Sequence, residues 1–284
     1  MGEAVVATQI VGGLYMLPVG PVNTFLFKTS DGCALIDTGL PGSAEKIVSA
    51  IREAGKNVAD IRHIILTHAH PDHIGSFAAL KKATGAEAYM HPADAYIAAS
   101  GKGFRPMKAA PGLKRGIMFR LFVRPMSSVE AAPIEHAVED GEMLLPSLTA
   151  IHVPGHCAGQ IALLWQQHGG VLIAADACSN LMGLGLSLGY EDLEQGRRSL
   201  LKLSALNFQV ACFGHGKPIL KDASSRFREV WPFCAMWRGA SKLRPACRNS
   251  TTWARSKTAR GLPIAAPDFV PLARACSKPA MTRS

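Results

Sequence analysis

Thr67-His68-Ala69-His70-Pro71-Asp72-His73-Ile74-Gly75 is the stretch on which the reading of this chain turns. His68, His70, Asp72 and His73 lie within six residues, and the apolar run from Ile61 to Leu66, interrupted only by Arg62 and His63, leads into them as a buried strand. A strand that ends in a tight loop can aim neighbouring side chains at one point, and Pro71 argues against a helix starting inside the motif. Neutral imidazole and carboxylate are the donors preferred by Zn(II), Fe(II) and Mn(II). Three further candidates follow later strand-like runs: His156 in Val153-Pro154-Gly155-His156, Asp176 after Val171-Leu172-Ile173-Ala174-Ala175, and His215 in Phe213-Gly214-His215-Gly216. A set of seven placed at strand ends is far more specific than any single histidine. His63, His91, His136, His152 and His168 are read as ordinary surface or core side chains.

Outward from the motif, strand-like and helix-like stretches alternate. Residues 14–17, 22–28 and 33–36 are β-rich, with a turn at Ser30-Asp31-Gly32. Ser43 opens a helical pattern with Ile47, Val48, Ile51 and Ala54 on one face, and Gly55 ends it. After the motif come a helix (74–83), a strand (86–90), an irregular segment (92–130), strands at 148–153, 160–166 and 171–175, a helix at 191–206, a strand at 208–213 and a helix at 222–231. Strands with interleaved helices and no internal repeat imply sheets covered by helices.

The chain has 284 residues, 48% hydrophobic and 18% charged, enough for a sizeable core. No apolar run reaches membrane-spanning length, and the N-terminus lacks a basic, apolar and small-residue leader pattern, so a cytoplasmic protein without membrane contact is expected. The net charge of +10 is unevenly placed: ten of the 31 Lys/Arg and one of the 21 acidic residues fall in 231–284, which leaves 21 basic and 20 acidic before it. Residues 1–231 are thus read as the catalytic domain, nearly neutral and not expected to bind nucleic acid, and 232–284 as a basic, disordered tail. Seven scattered cysteines without a CxxC pair indicate neither a disulfide framework nor a thiolate zinc site. Cys157 and Cys178 adjoin candidate ligands, and a side chain one residue from a ligand is expected to point elsewhere.

With Asp37-Thr38-Gly39 after the early hairpin, the motif at 67–75, Pro154-Gly155-His156, Asp176 and Gly214-His215-Gly216, the sequence resembles the metallo-β-lactamase superfamily over about residues 10–230. The resemblance implies an α/β (α+β) fold, a four-layer αββα sandwich with metals at one edge. It implies that His68, His70 and His156 hold one divalent ion, that Asp72, His73 and His215 hold a second, and that Asp176 bridges them. Asp37 would orient a ligand from behind, or serve only as a turn residue. Zinc is the first expectation for both ions, with iron or manganese as alternatives. Such a pair supplies hydroxide at neutral pH and polarises a carbonyl, and Asp72 is the catalytic candidate, placed to orient the nucleophile or pass a proton to the leaving group.

The expected activity is hydrolysis of a small ester, lactone or thioester, in a branch like glyoxalase II or the lactonases. Two marks depart from those branches. The typical glyoxalase II has a longer helical C-terminal region, and the lactonases place a tyrosine where this chain has Ser179. A β-lactamase proper would need export. The alternatives are a mononuclear-iron oxidoreductase like the persulfide dioxygenases and a nuclease of the same superfamily. Between Ala95 and Val129, Lys102, Arg105, Lys108, Lys114, Arg115, Arg120 and Arg124 mingle with apolar residues and no acid. That composition suits a lid over an anionic acyl substrate, or a solvated loop packing its apolar side on the core.

Overall fold

In the computed structural model, which describes residues 6–123 and 126–232, the N-terminal half builds one sheet and the C-terminal half another. The first half runs β1 (Thr8–Val11), β2 (Leu14–Val19), β3 (Val22–Lys28), β4 (Cys33–Ile36), α1 (Ala44–Glu53), β5 (Ile61–Ile65), α2 (Pro71–Ile74), α3 (Phe77–Thr84), β6 (Glu87–Met90), α4 (Pro92–Ser100), β7 (Lys108–Ala109), α5 (Leu113–Phe122) and β8 (His136–Ala137). The second half continues with β9 (Met143–Leu145), β10 (Leu148–His152), β11 (Ile161–Trp165), β12 (Val171–Ile173), β13 (Gly189–Tyr190), α6 (Leu193–Ser204), β14 (Val210–Cys212) and α7 (Ala223–Val230). Sheet order is β1-β2-β3-β4-β5-β6-β8 in the first and β14-β12-β11-β10-β9 in the second, with β7 and β13 forming a separate pair.

Three apolar clusters define the layers. Phe25, Phe27, Ile36 and Ile65 of the first sheet meet Leu148, Leu163, Trp165 and Ile173 of the second. On its outer face the first sheet packs Leu26, Leu35 and Ile64 against Ile47 and Ile51 of α1, Phe77 and Leu80 of α3 and Ile97 of α4. The second sheet packs Ile151, Leu164 and Leu172 against Leu200 and Leu203 of α6 and Phe227 of α7. Strands buried on both faces need continuous apolar runs rather than alternation, and VLI in β12 and VAC in β14 are of that kind. The result is the expected αββα sandwich.

Two expectations about local structure are corrected. Pro71 does not prevent a helix within the motif: α2 begins at Pro71, with extended His70 as its N-cap. Proline suits the first helical position, where its fixed φ is helical and its missing N–H would have no partner. The stretch 92–130 is not irregular throughout. In α4, Pro92 again takes the first turn, His91 accepts from the Ala93 N–H, and Gly101 closes the helix in the left-handed conformation at φ 68°. Residues 233–284 lie outside the described residues, and with them the expectation of a disordered tail. Among the described residues no helix is long and apolar enough to cross a membrane.

Candidate metal centre

Every candidate side chain leaves the C-terminal end of a strand. β4 and β5 are parallel neighbours in the first sheet and β12 and β14 in the second, so their ends lie side by side. β4 delivers Asp37, β5 delivers the 67–73 loop, β10 leads to His156, β12 to Asp176 and β14 to His215. Two residues at these ends take left-handed backbone conformations, Asp37 at φ 59° and Ala175 at φ 46°. Non-glycine residues adopt such angles only when surrounding contacts impose them, and they gather at functional sites. Gly214 is a glycine because a Cβ there would collide with Asp176 Oδ1 and crowd His73.

The seven side chains converge. His70 Nδ1 and His156 Nε2 lie 2.9 Å apart, and with a nitrogen of His68 they form one compact donor group. Asp72, His73 and His215 form another; His215 Nε2 is 3.2 Å and His73 Nε2 is 3.8 Å from Asp72 Oδ2. Asp176 stands between them. Its Oδ2 is 3.5 Å from His156 Nε2 and 3.2 Å from His215 Nε2, and its Oδ1 is 3.6 Å from His73 Nε2.

The ring nitrogens facing away from this point are anchored. His68 Nδ1 meets Thr67 Oγ1 at 3.1 Å, His73 Nδ1 meets Asp37 Oδ2 at 2.8 Å, His156 Nδ1 meets the Gly189 carbonyl at 2.7 Å and His215 Nδ1 the Pro21 carbonyl at 2.8 Å. Such anchors choose the tautomer and free the other nitrogen's lone pair. Asp37 proves to be more than a turn residue. It accepts from the Thr67 N–H and hydroxyl as well as from His73, and so fixes both ends of the motif. Asn23, in the β2–β3 hairpin, donates through its side chain to the carbonyls of Phe213 and Gly216 and through its backbone to Gly214, pinning the loop that bears His215.

A cation fits this arrangement. Among the described residues, His68 Nε2, His73 Nε2 and Asp176 Oδ1 are buried without any hydrogen-bond partner, and all three belong to the cluster. Buried polar atoms are seldom left so, and three inward-facing ring and carboxylate atoms in one place are suited to hold a metal ion.

The sequence profile of the metallo-β-lactamase superfamily matches residues 17–215. The chain belongs to that superfamily. Among its superfamily relatives is a probable metallo-hydrolase of Bacillus subtilis, YflN, 30% identical over 227 residues, with 73% of this chain and 85% of the relative covered. Another is the thioesterase pkgB of Emericella nidulans, 28% identical over 201 residues, covering 70% of this chain and 46% of that protein. A solved β-lactamase from Chitinophaga pinensis matches the fold with a TM-score of 0.60 at 24% identity, over 81% of this chain and 91% of its own. At superfamily level the protein is a metallo-hydrolase with a divalent-metal site.

The two donor groups of this superfamily member differ in charge. Burial, reinforced by His156, lowers His70 to about 3. Burial and the neighbouring His73 hold His68 well below its ordinary value, and burial also lowers His156. For His73 burial acts downward as well, but Asp72, Asp176 and Asp37 outweigh it and raise the ring to about 9. His215 is raised likewise, by Asp176 and Asp72 against burial. Burial alone would raise Asp72 and Asp176, yet the histidines beside them hold both carboxyls well below the usual range.

Two further expectations are corrected. Cys157 does not point away: its Sγ lies 3.3 Å from His70 Nε2. The loop carrying it turns back under the cluster instead of running on as a strand, so strand alternation does not apply. Arg105 is no open lid cation, because its guanidinium is turned inward onto Asp94 and Glu191. Around α5, neither reading of the 95–129 segment holds in full. Phe119 packs against Gly189, yet Leu113, Ile117, Leu121 and Phe122 are exposed instead of covering the core. Arg124 lies outside the described residues.

Proposed function

We propose that the protein is a dinuclear metal-dependent hydrolase, with zinc as the first choice of metal, that cleaves a small ester, lactone or thioester. The observation that carries this reading is the position of Asp176, whose Oδ2 lies 3.5 Å from His156 Nε2 and 3.2 Å from His215 Nε2 and so touches both donor groups, while its Oδ1 lies 3.6 Å from His73 Nε2. A carboxylate so placed can bridge two cations, one on His68, His70 and His156 and one on Asp72, His73 and His215. Divalent ions held there bring the pKa of water towards neutrality and polarise an acyl carbonyl.

The chain's own groups do the remainder. Asp72 is the most accessible carboxylate of the set, with 31% of its side chain exposed and its Oδ2 3.2 Å from His215 Nε2. It is the group placed to orient the attacking water and to take up and return its proton to the leaving atom. Asp37 holds His73 and the Thr67 backbone so that the donor geometry is ready before substrate arrives. Above Gly189, α5 offers Ile117 and Leu121 beside the exposed cations Lys114 and Arg120, which favours an acyl substrate bearing an anionic group. Ser179, buried and turned to the Leu186 carbonyl, places no phenol over the centre. A thioester therefore ranks above a lactone, in keeping with the thioesterase among the relatives.

The test is metal analysis of the purified protein together with rates on chromogenic esters, lactones and thioesters. Two zinc ions per chain with thioester turnover supports the reading. One iron per chain without a second metal would replace it with the dioxygenase-like oxidoreductase.

A further inference from the structure

Four of the five histidines anchor their outer nitrogen on oxygen; His70 uses sulfur. Its Nε2 donates to Cys157 Sγ at 3.3 Å, and the Cys157 S–H donates onward to Glu191 Oε1 at 3.3 Å. Glu191 also accepts from the Ala158 N–H at 2.9 Å and from Arg105 Nε, 2.9 Å from both of its oxygens. Arg105 continues to Asp94. Asp94 is fully buried and accepts from the backbone N–H groups of Ala69 and Gly159, each at 2.9 Å. Ala69 lies between His68 and His70, and Gly159 three residues after His156. Gly159 permits the approach because a Cβ there would stand 2.6 Å from the Asp94 carboxyl carbon.

We propose that Cys157, Glu191, Arg105 and Asp94 are a positioning network that fixes the ring direction of His70 and the spacing of the loops bearing His68, His70 and His156. A partner on the outer nitrogen fixes which ring atom an imidazole presents to a metal, and partners behind a ligand govern metal affinity by roughly 10- to 100-fold. The thiol's one proton is committed to Glu191, so the sulfur lone pairs face His70 and the chain of donors has a single direction. Asp94 then ties that chain to the backbone on both sides of the ligand set. The segment beginning at Arg105, which continues into α5, is fastened to the same loops.

The test uses Co(II), whose visible spectrum reports ligand geometry, on the full chain stripped of metal. Cys157→Ala is expected to weaken Co(II) binding about 10- to 100-fold and to alter the spectrum. Cys157→Ser, whose hydroxyl can accept from His70 and donate to Glu191, is expected to restore most of both. The metal-free melting temperatures of the three proteins should coincide. Asp94→Asn, two loops from the metal, should shift the same spectrum; if it fails to fold, the Cys157 pair decides alone. Wild-type affinity and spectrum in Cys157→Ala would overturn the network. So would equal losses in the alanine and serine variants that track a lowered metal-free melting temperature, which is packing alone. The inference rests on the proposed metal site, and the two fail differently: a wild-type chain that takes up no Co(II) sinks the site, whereas normal uptake unaffected by Cys157→Ala sinks the network only.

Discussion

The group His68, His70 and His156 and the group Asp72, His73 and His215 share one cluster, yet they are supported in opposite ways. Behind the first stand a hydroxyl, a thiol and a carbonyl, on Thr67, Cys157 and Gly189. Burial keeps its rings neutral, with His70 down at about 3. Behind and around the second stand the carboxylates of Asp37, Asp72 and Asp176, which raise His73 to about 9. Neutral rings offer lone pairs at once, whereas each protonated ring must first lose its proton to solvent before it can hold an ion. The difference teaches that two donor groups in one cluster can differ in readiness for a cation, the neutral group being ready first.

The largest expected effect breaks the first group. His68→Ala or His156→Ala removes one of the three donors of the first group, and loss of both metal and hydrolysis is expected in atomic absorption and rate measurements. Full activity in either variant would remove the basis of the comparison. Next comes the bridge against the second group: Asp176→Ala is expected to lose both metals and lower the melting temperature, whereas Asp72→Asn keeps one metal. Equal stoichiometry in the two variants would show that Asp176 does not serve both sides.

A smaller effect is read from pH. Stoichiometry at a fixed, low, buffered free-zinc concentration is expected to rise from one towards two ions per chain as pH climbs towards about 9, where His73 gives up its proton. A flat profile would count against the charge asymmetry. The metal-free protein tests the same contrast through stability. His73, raised from 6.5 to about 9, contributes stability fully present below 6.5 and lost as pH rises through about 9. His70, lowered from 6.5 to about 3, contributes stability present above 6.5 and lost as pH falls through about 3. The metal-free melting temperature should therefore peak near 6.5, and a monotonic profile would separate the two groups from the protein's stability. The smallest effect is expected from ending the chain after Pro232: unchanged metal content and kcat. A truncated protein that keeps its metals but loses activity would bring residues 233–284 into the site.

Much of this was legible in the sequence because the ligands are written at strand ends. The runs before His68, Asp176 and His215 are apolar and short, so their termini could be read to within about two residues, and the site follows from the termini. Other parts were hidden for physical reasons. α5 is apolar on several faces and carries no buried residue, so it shows no helical period. Asp94 is one acid within PADAYIAAS, and its role comes from contacts that the fold brings to it, at Ala69, Arg105 and Gly159. The Pro92 to Gly101 bracket around α4 is the helix signal that the sequence does carry there. Cys157 departs from the expected direction because alternation describes strands and it sits in a turn between β10 and β11.

The hold of the β2–β3 hairpin on the 213–216 loop bears on how the protein is made. Pro21 accepts from His215 across 194 positions of sequence, and Asn23 grips the carbonyls on either side of that histidine. A nascent chain that has not yet released β14 from the ribosome holds the early hairpin and the 67–73 loop but cannot complete the second group. Interrupted translation products should therefore lack the second donor group, which belongs to the finished chain.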